Sequence, residues 1–466
     1  MGGSLIRGGD LDHGLWSGAV WRPPPGKRGA DFHSALVKRP CCRIRRLGGC
    51  RAQEMRFTRF LRNPAVTASE MVCHAVTGTA ARVAGRDIVV AQDTSELALG
   101  GRRARANGYG PVGKGGALGG LLLHAAIALE IGSGALLGLA DARIWNRDQG
   151  EVTPRRSRAT ADKESQRWLD TTARVSAALA AANSITMVSD RESDIFEHFT
   201  CRPANTHLIV RACQNRKIET ALKTASSLLF QFVDELPEAG RFSVIIPAAP
   251  GRKERVAELA LRFSPVELCK PAHGAAADLP DTIALTLVDV REVSTLESGE
   301  PVHWRLLTTH PVTSLAEGRR TVDLYRMRWT IEEFFRTLKT AGFDIEDADI
   351  GDPHVMTKFV AAATVAAITV MQLVKARDGT TDRQLADAFE PDDQPILEAL
   401  SAKLEGATAR QKNPHPKGTL AFAAWVIARL GGWNGYYGKP GPKVMRWGLD
   451  DFRRIKLGTT LGLQHV

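Results

Sequence analysis

Short apolar runs bounded by turn-forming or charged positions alternate along most of this chain with longer stretches of helical period. That alternation predicts a mixed α/β fold. "GRDIVVAQD" reads as a short buried strand ending in a carboxylate, Asp93. "GGLLLHAAIALE" and "GALLGLADARIW" read as two strands of a hairpin joined by "IGSG". A polar helix around "TADKESQRWLDTTARVSAAL" precedes a strand, "SITMVSD", that ends in a second carboxylate, Asp190. A helical stretch "RESDIFEHF" and a strand "THLIVRA" follow. Between residues 214 and 300 strands dominate ("RFSVIIP", "RVAELALRF", "TIALTLVDVREV"), and "HWRLLTT" is one more. The chain then turns helical at "YRMRWTIEEFFRTLKTAGFDIEDA" and stays mostly helical after residue 355.

Two segments fall outside the pattern. Residues 1–54 are rich in Gly, Pro, Arg and Cys without a sustained period. They are expected either to be disordered or to carry a mis-assigned or frame-shifted start, with ordinary sequence resuming at Met55. The basic loop "GRRARANGYGPVGKGGA" lacks the G-x-x-x-x-G-K-[ST] spacing of a phosphate cradle and reads as a flexible loop. From Met55 to about Gly85 the pattern is helical, broken at Asn63 and Pro64. No internal repeats are visible.

Composition narrows the classes. The 466 residues, 44% hydrophobic and 24% charged, suffice for several domains with a substantial core. A net charge of +11 favours an anionic partner without selecting among nucleic acid, ribosome and anionic membrane. The seven cysteines are scattered without C-x-x-C spacing, which argues against a disulfide framework or a zinc site and fits a reducing cytoplasm. No charged–apolar–small leader pattern is present. The longest apolar run, Phe359 to Val374, is shorter than the roughly 20 residues of a membrane span and reads as a buried helix.

Strand-end aspartates are held rigidly yet face a cleft, and a later helix adds Glu332. Three carboxylates suffice to hold a pair of Mg²⁺ ions, a standard arrangement for phosphodiester chemistry. On a wheel of about 100° per residue, Tyr325, Arg328, Glu332 and Lys339 fall within roughly 60° of one another. Leu324, Met327, Ile331, Phe334 and Leu338 form an adjacent core stripe, and Glu333 points away from Glu332. Arg328 and Lys339 are placed to hold phosphates and Tyr325 to hydrogen-bond one. Each feature has an ordinary alternative: a solvated charged face, Asp190 capping a helix, Asp93 in an Asx turn.

"QDTSEL" around Asp93, "SDRESDIFEH" around Asp190, and Y-x-x-R-x-x-x-E-x-x-x-x-x-x-K from Tyr325 to Lys339 resemble the DDE transposases of bacterial insertion sequences, in the branch with a Tyr-Arg-Glu-Lys signature. The similarity runs from "RFLRNPAV" to "LGGWNGYYGKPGP", most of the chain after Met55. It implies an α/β fold with an RNase H-like catalytic core at residues 86–213 and 301–355. A β-rich insertion would occupy 214–300, a helical C-terminal region with a dimer contact 356–466, and a remnant of a helical DNA-end-binding domain 55–85. It implies Asp93, Asp190 and Glu332 as catalytic ligands of two Mg²⁺ ions, for which Mn²⁺ substitutes. Tyr325, Arg328, Lys339 and Arg211 would contact DNA, and Trp304 would stack on a flipped base. The implied partners are double-stranded DNA, as element ends and as target, and a second copy of the chain in a synaptic complex; the implied setting is the bacterial cytoplasm. Residues 1–54 do not match the family's end-reading domain. An RNase H-like nuclease without strand transfer, and an inactive remnant that only binds DNA or dimerises, are the alternatives.

Overall fold

Asp87–Ala98 (β1) contains the run Ile88, Val89, Val90 and Ala91, all four buried, the signature of a strand covered on both faces. Ile88 and Val90 pack with Met187, Leu208, Phe196 and Val175, whereas Val89 and Ala91 belong to the cluster of Ile331, Phe334 and Phe359. Strand alternation thus divides the core into two layers around one sheet. The computed structural model describes residues 25–38, 42–99, 106–147, 163–219, 227–246, 254–294 except 274 and 277, and 300–463 except 341, 381, 382, 390 and 437.

Among the described residues the sheet has eleven strands. They are β1, β2 (Gly110–Val112), β3 (Leu118–Glu130), β4 (Leu136–Trp145), β5 (Ser184–Ser189), β6 (Thr206–Arg211), β7 (Ile218–Glu219), β8 (Gly240–Ile246), β9 (Arg255–Cys269), β10 (Thr282–Glu292) and β11 (His303–Thr308). Their order is β2-β3-β1-β5-β6-β11-β10-β9-β7, with β4 on β3 and β8 on β9. Only β1–β5 and β5–β6 are parallel. The 214–300 stretch is β-rich as expected, but its strands continue the main sheet through the β10–β11 pairing.

Helices α1 (Pro25–Lys38), α2 (Ile44–Gly48), α3 (Arg51–Arg62) and α4 (Ala68–Val83) precede the sheet. The expected lack of order before Met55 is therefore corrected for the described part. Phe32 is buried, and its ring lies 5.1 Å from Phe57, 5.8 Å from Phe60 and 5.9 Å from Phe359. The expected boundary at residues 54/55 falls inside α3. Residues 1–24 lie outside the described residues, as do 100–105 of the basic loop, whose later part forms β2.

One layer holds α5 (Gln166–Ala178), α6 (Phe196–Thr200) and α7 (Leu229–Glu235). The other holds α8 (Leu315–Arg326), α9 (Trp329–Lys339) and α10 (Pro353–Ala376), then α11 (Asp393–Leu404), α12 (Leu420–Leu430) and α13 (Pro442–Leu463). Asp352 caps α10 by accepting from the His354 N–H at 2.8 Å, and Pro353 occupies its first turn. At 24 residues α10 is longer than the run first suggested and long enough to cross a membrane, yet 78% of its most apolar window is buried within the protein. It is the central helix of the core.

Ile331, Phe334 and Leu338 are fully buried and fix α9 against the sheet. Phe334→Ala should cost about 3–5 kcal/mol in urea or thermal unfolding. A loss below about 1 kcal/mol would show that this helix is not packed as described.

Candidate active site

Parallel pairing of β1 with β5 runs from Asp87–Ser184 to Ala91–Val188 and stops there. Asp93 and Asp190 each lie two residues further, side by side where the two strands part. Asp93 does not end its strand as expected. β1 continues to Ala98, held by β3 alone, with Asp93 opposite Ala125. The Asp93 Oδ1 atom accepts the Thr94 backbone N–H at 2.7 Å and Oδ2 accepts from Arg328 Nη1 at 3.2 Å. Asp190 caps the short turn Arg191–Ser193, its Oδ1 taking the Arg191 N–H at 2.7 Å. The capping alternative is thus real and coexists with the pairing of the two aspartates.

The 325–339 segment is not one helix. α8 ends at Arg326 and α9 starts at Trp329. Through the junction the N–H groups of Arg328, Thr330 and Ile331 reach back three residues, to Tyr325, Met327 and Arg328 at 3.0–3.1 Å. This tightening breaks the single wheel drawn from sequence. Tyr325 and Arg328 turn inward and are buried, while the Glu332 side chain stays 54% exposed. Arg328 Nη2 donates to Glu332 Oε1, so one guanidinium bridges Asp93 and Glu332. Glu333 pairs with Lys375 at 2.9 Å, away from the site.

The expected DNA contacts are placed as follows. Arg328 is committed to carboxylates, and Lys339 pairs with Glu346 at 3.4 Å, so neither is a free cation here. Arg211 Nη2 donates to the His303 carbonyl at 3.1 Å. Trp304 is buried, with ring centroids 5.9 Å from Tyr325 and 5.8 Å from Trp329. Arg211, Trp304, Trp329, His303, Arg305 and Arg191 line an open cavity of about 380 Å³. Arg191 follows Asp190, which joins this cavity to the carboxylates.

Burial pushes the Asp93 carboxyl up to about 6; Arg328 and the Thr94 N–H pull it down, and the charges of Asp190 and Glu192 add to the rise. Glu332, Asp190 and Asp93 all act on the Arg328 guanidinium. Among the described residues no three His, Cys, Asp or Glu side chains are grouped closely enough to hold an ion as they stand. Arg328 lies between two of the three expected ligands. The donor set still fits a hard divalent cation. It consists of carboxylate oxygens alone, and Asp93 is a poorly solvated carboxylate already compensated by a positive charge. Arg328 Nε and Tyr325 Oη are buried without a geometrically sound hydrogen-bond partner among the described residues, although the Tyr325 hydroxyl lies against that guanidinium.

Several site-building residues escaped the sequence reading. Asp194 is fully buried, accepting the Cys213 and Gln214 N–H groups at 2.9 and 3.0 Å and pairing with Arg216 at 3.0 Å. It anchors the chain leaving β6. On the opposite face of β1 from Asp93, Gln92 and Thr94 meet His124, Arg167, Thr172 and His198. One signal was available: His124 is the sole ionisable side chain between Leu118 and Leu129.

No family model matches the chain.

His198 is buried and lowered to about 4 by that burial, against a raising contact with the Ser193 carbonyl; burial also holds His124 well below 6.5. Both rings stay neutral when folded and take up a proton on unfolding. The His198 contribution is intact above about pH 6.5 and is lost as pH falls toward about 4. Between pH 6.5 and 5 the parent should lose about 1–2 kcal/mol to His198 alone. His198→Gln should flatten that slope in denaturant titrations, and an unchanged slope would count against a neutral buried ring.

Proposed function

We propose that the chain is a DDE-type DNA transposase with an RNase H-like core, acting by cut-and-paste. The observation that supports this most is the meeting of three elements. Asp93 and Asp190 emerge side by side from adjacent parallel strands, and Arg328 ties Glu332 of α9 to Asp93. The Asp-Arg-Glu-x-Asp pattern follows β5, and the Tyr-Arg-Glu-Lys pattern runs from the end of α8 through α9.

Asp93, Asp190 and Glu332 are the residues that would hold Mg²⁺, or Mn²⁺ in its place, once Arg328 releases Asp93 and Glu332. The bound ions supply activation of a water or a 3′-hydroxyl and stabilise the leaving oxygen. The chain's own groups grip the substrate. Arg328 Nε and Tyr325 Oη are buried donors suited to a phosphate oxygen, and Arg211 lies at the mouth of the cavity beside Trp304. That cavity suits an unpaired base stacked on the indole, as hairpin formation at an element end requires. The net charge of +11 suits a duplex partner. The sequence of reactions is nicking at the element end, attack of the freed 3′-hydroxyl on the opposite strand, reopening of the hairpin, and joining to target DNA. Two element ends call for two copies of the chain, with the C-terminal helices as the contact surface.

The test is purified protein with end-containing duplex and Mg²⁺. Asp93→Asn and Glu332→Gln should each lower cleavage on the order of 10³-fold, equivalent to about 4 kcal/mol of lost transition-state stabilisation. DNA affinity and its salt slope should stay near the parent's. Cleavage by Glu332→Gln at the parental rate would refute the site. Cut but never joined products would point to a nuclease instead.

A further inference from the structure

The parallel ladder that aligns β1 with β5 ends two residues short of both aspartates. Direct pairing between the two strands therefore stops short of Asp93 and Asp190, although β3 still pairs with Asp93 and β6 with Ser189. A side-chain tie between the two segments adds to that support. On the face of β1 away from Asp93, Arg167 of α5 is buried and donates three hydrogen bonds. Its Nε donates to Thr94 Oγ1 at 2.8 Å, its Nη2 to Glu192 Oε2 at 2.5 Å, and its Nη1 to the Glu164 carbonyl at 2.8 Å. Thr94 follows Asp93, and Glu192 lies two residues after Asp190. One planar fork thus spans both aspartate-bearing segments without touching either aspartate.

A buried chain of hydrogen bonds closes the same span into a ring. Thr94 Oγ1 meets His124 Nδ1 at 2.8 Å, and His124 Nε2 meets Gln92 Oε1 at 3.3 Å. Gln92 Nε2 donates to Thr172 Oγ1 at 3.2 Å, which meets His198 Nε2 at 2.9 Å, and His198 Nδ1 faces the Ser193 carbonyl at 3.3 Å. Ser193 Oγ in turn donates to the Asp190 carbonyl at 2.9 Å. The Gln92 amide oxygen only accepts and its nitrogen only donates, so His124 gives its Nε2 hydrogen to Gln92, Gln92 gives to Thr172, and the neutral His124 ring accepts from Thr94 at Nδ1. Thr172 Oγ1 also donates to the Trp168 carbonyl at 2.9 Å, so its one hydrogen does not fix the direction of the contact with His198.

We propose that Arg167 is a positioning residue. With Thr94 and the His124–Gln92–Thr172–His198 chain, it continues the tie between the two segments past the end of their ladder and sets the spacing of Asp93 and Asp190. The proposal rests on the reading of those aspartates as the active carboxylates.

The experiment compares the parent with Arg167→Ala, Arg167→Lys and Thr94→Val on end-containing duplex with Mg²⁺. It also follows amide hydrogen exchange at Thr94, Ser193 and the core residue Val90. Arg167→Ala should lower kcat about 100-fold with KM for DNA within about threefold, because misplacement of catalytic groups by about 1 Å costs that much. Arg167→Lys should remain slow, since one ammonium cannot reproduce the fork. Methylguanidinium should restore at least about tenfold of the Arg167→Ala rate, which a merely structural loss would not allow. Exchange at Thr94 and Ser193 should quicken while Val90 keeps its protection. If Arg167→Ala does not fold, Thr94→Val, which leaves the arginine in place, should show the same kcat loss to a smaller degree. A kcat within about threefold of the parent in a folded variant, or a loss carried by KM alone, overturns the proposal. A parent that never cleaves defeats the transposase reading instead. The exchange pattern then decides the positioning claim by itself.

Discussion

Neighbouring side chains on a strand point to opposite faces, and at Asp93 and Thr94 each face of β1 meets a buried arginine. Arg328 takes Asp93 from the α9 side, and Arg167 takes Thr94 from the α5 side. A guanidinium buried in a sheet-and-helix core is costly unless most of its donors are used, so each arginine draws together carboxylates and hydroxyls that satisfy it. The geometry of the candidate site follows from those two demands. One brings Glu332 to Asp93, and the other ties the end of β1 to the turn after Asp190.

The two faces differ in what they leave open. On the α5 side the polar chain is closed from Arg167 to Ser193, and a closed buried network stiffens its surroundings. On the α9 side Arg328 Nε and Tyr325 Oη lack geometrically sound partners among the described residues, and Glu332 remains half in solvent. A rigid side and an unsatisfied side around one aspartate is the division of labour expected where a substrate completes the hydrogen bonding. Asp194 extends the rigid side, because its buried pairing with Arg216 fixes the route from the Asp190 turn to β7.

Much of the fold was readable because burial leaves continuous apolar runs: Ile88 to Ala91, Ile185 to Val188 and Leu208 to Val210 are strands in sequence and in space. Such runs also set Asp93 and Asp190 after two strands, but not that those strands pair side by side. The continuation of β1 to Ala98 did not, because Thr94, Ser95 and Glu96 look like a loop until β3 pairs with them. The break at Met327 and Arg328 was invisible to a wheel that assumes about 100° at every residue. It buries Tyr325 and Arg328, which that wheel had placed beside the core stripe rather than in it. The N-terminal helices were hidden by arginine, glycine and proline, although Phe32, Phe57 and Phe60 carry their packing. The polar ring draws residues from β1, β3, α5, α6 and the turn after β5, and no local pattern announces so distributed a set.

On the proposed function, Asp93, Asp190 and Glu332 form one cation site, and Arg328 moves off two of them when an ion binds. The most direct measurement is an anomalous difference map from crystals of the protein with duplex DNA and Mn²⁺. Density should appear between these three carboxylates, with the Arg328 guanidinium withdrawn from Asp93 toward a phosphate. Manganese bound elsewhere, with the Arg328 bridge intact, would contradict that assignment.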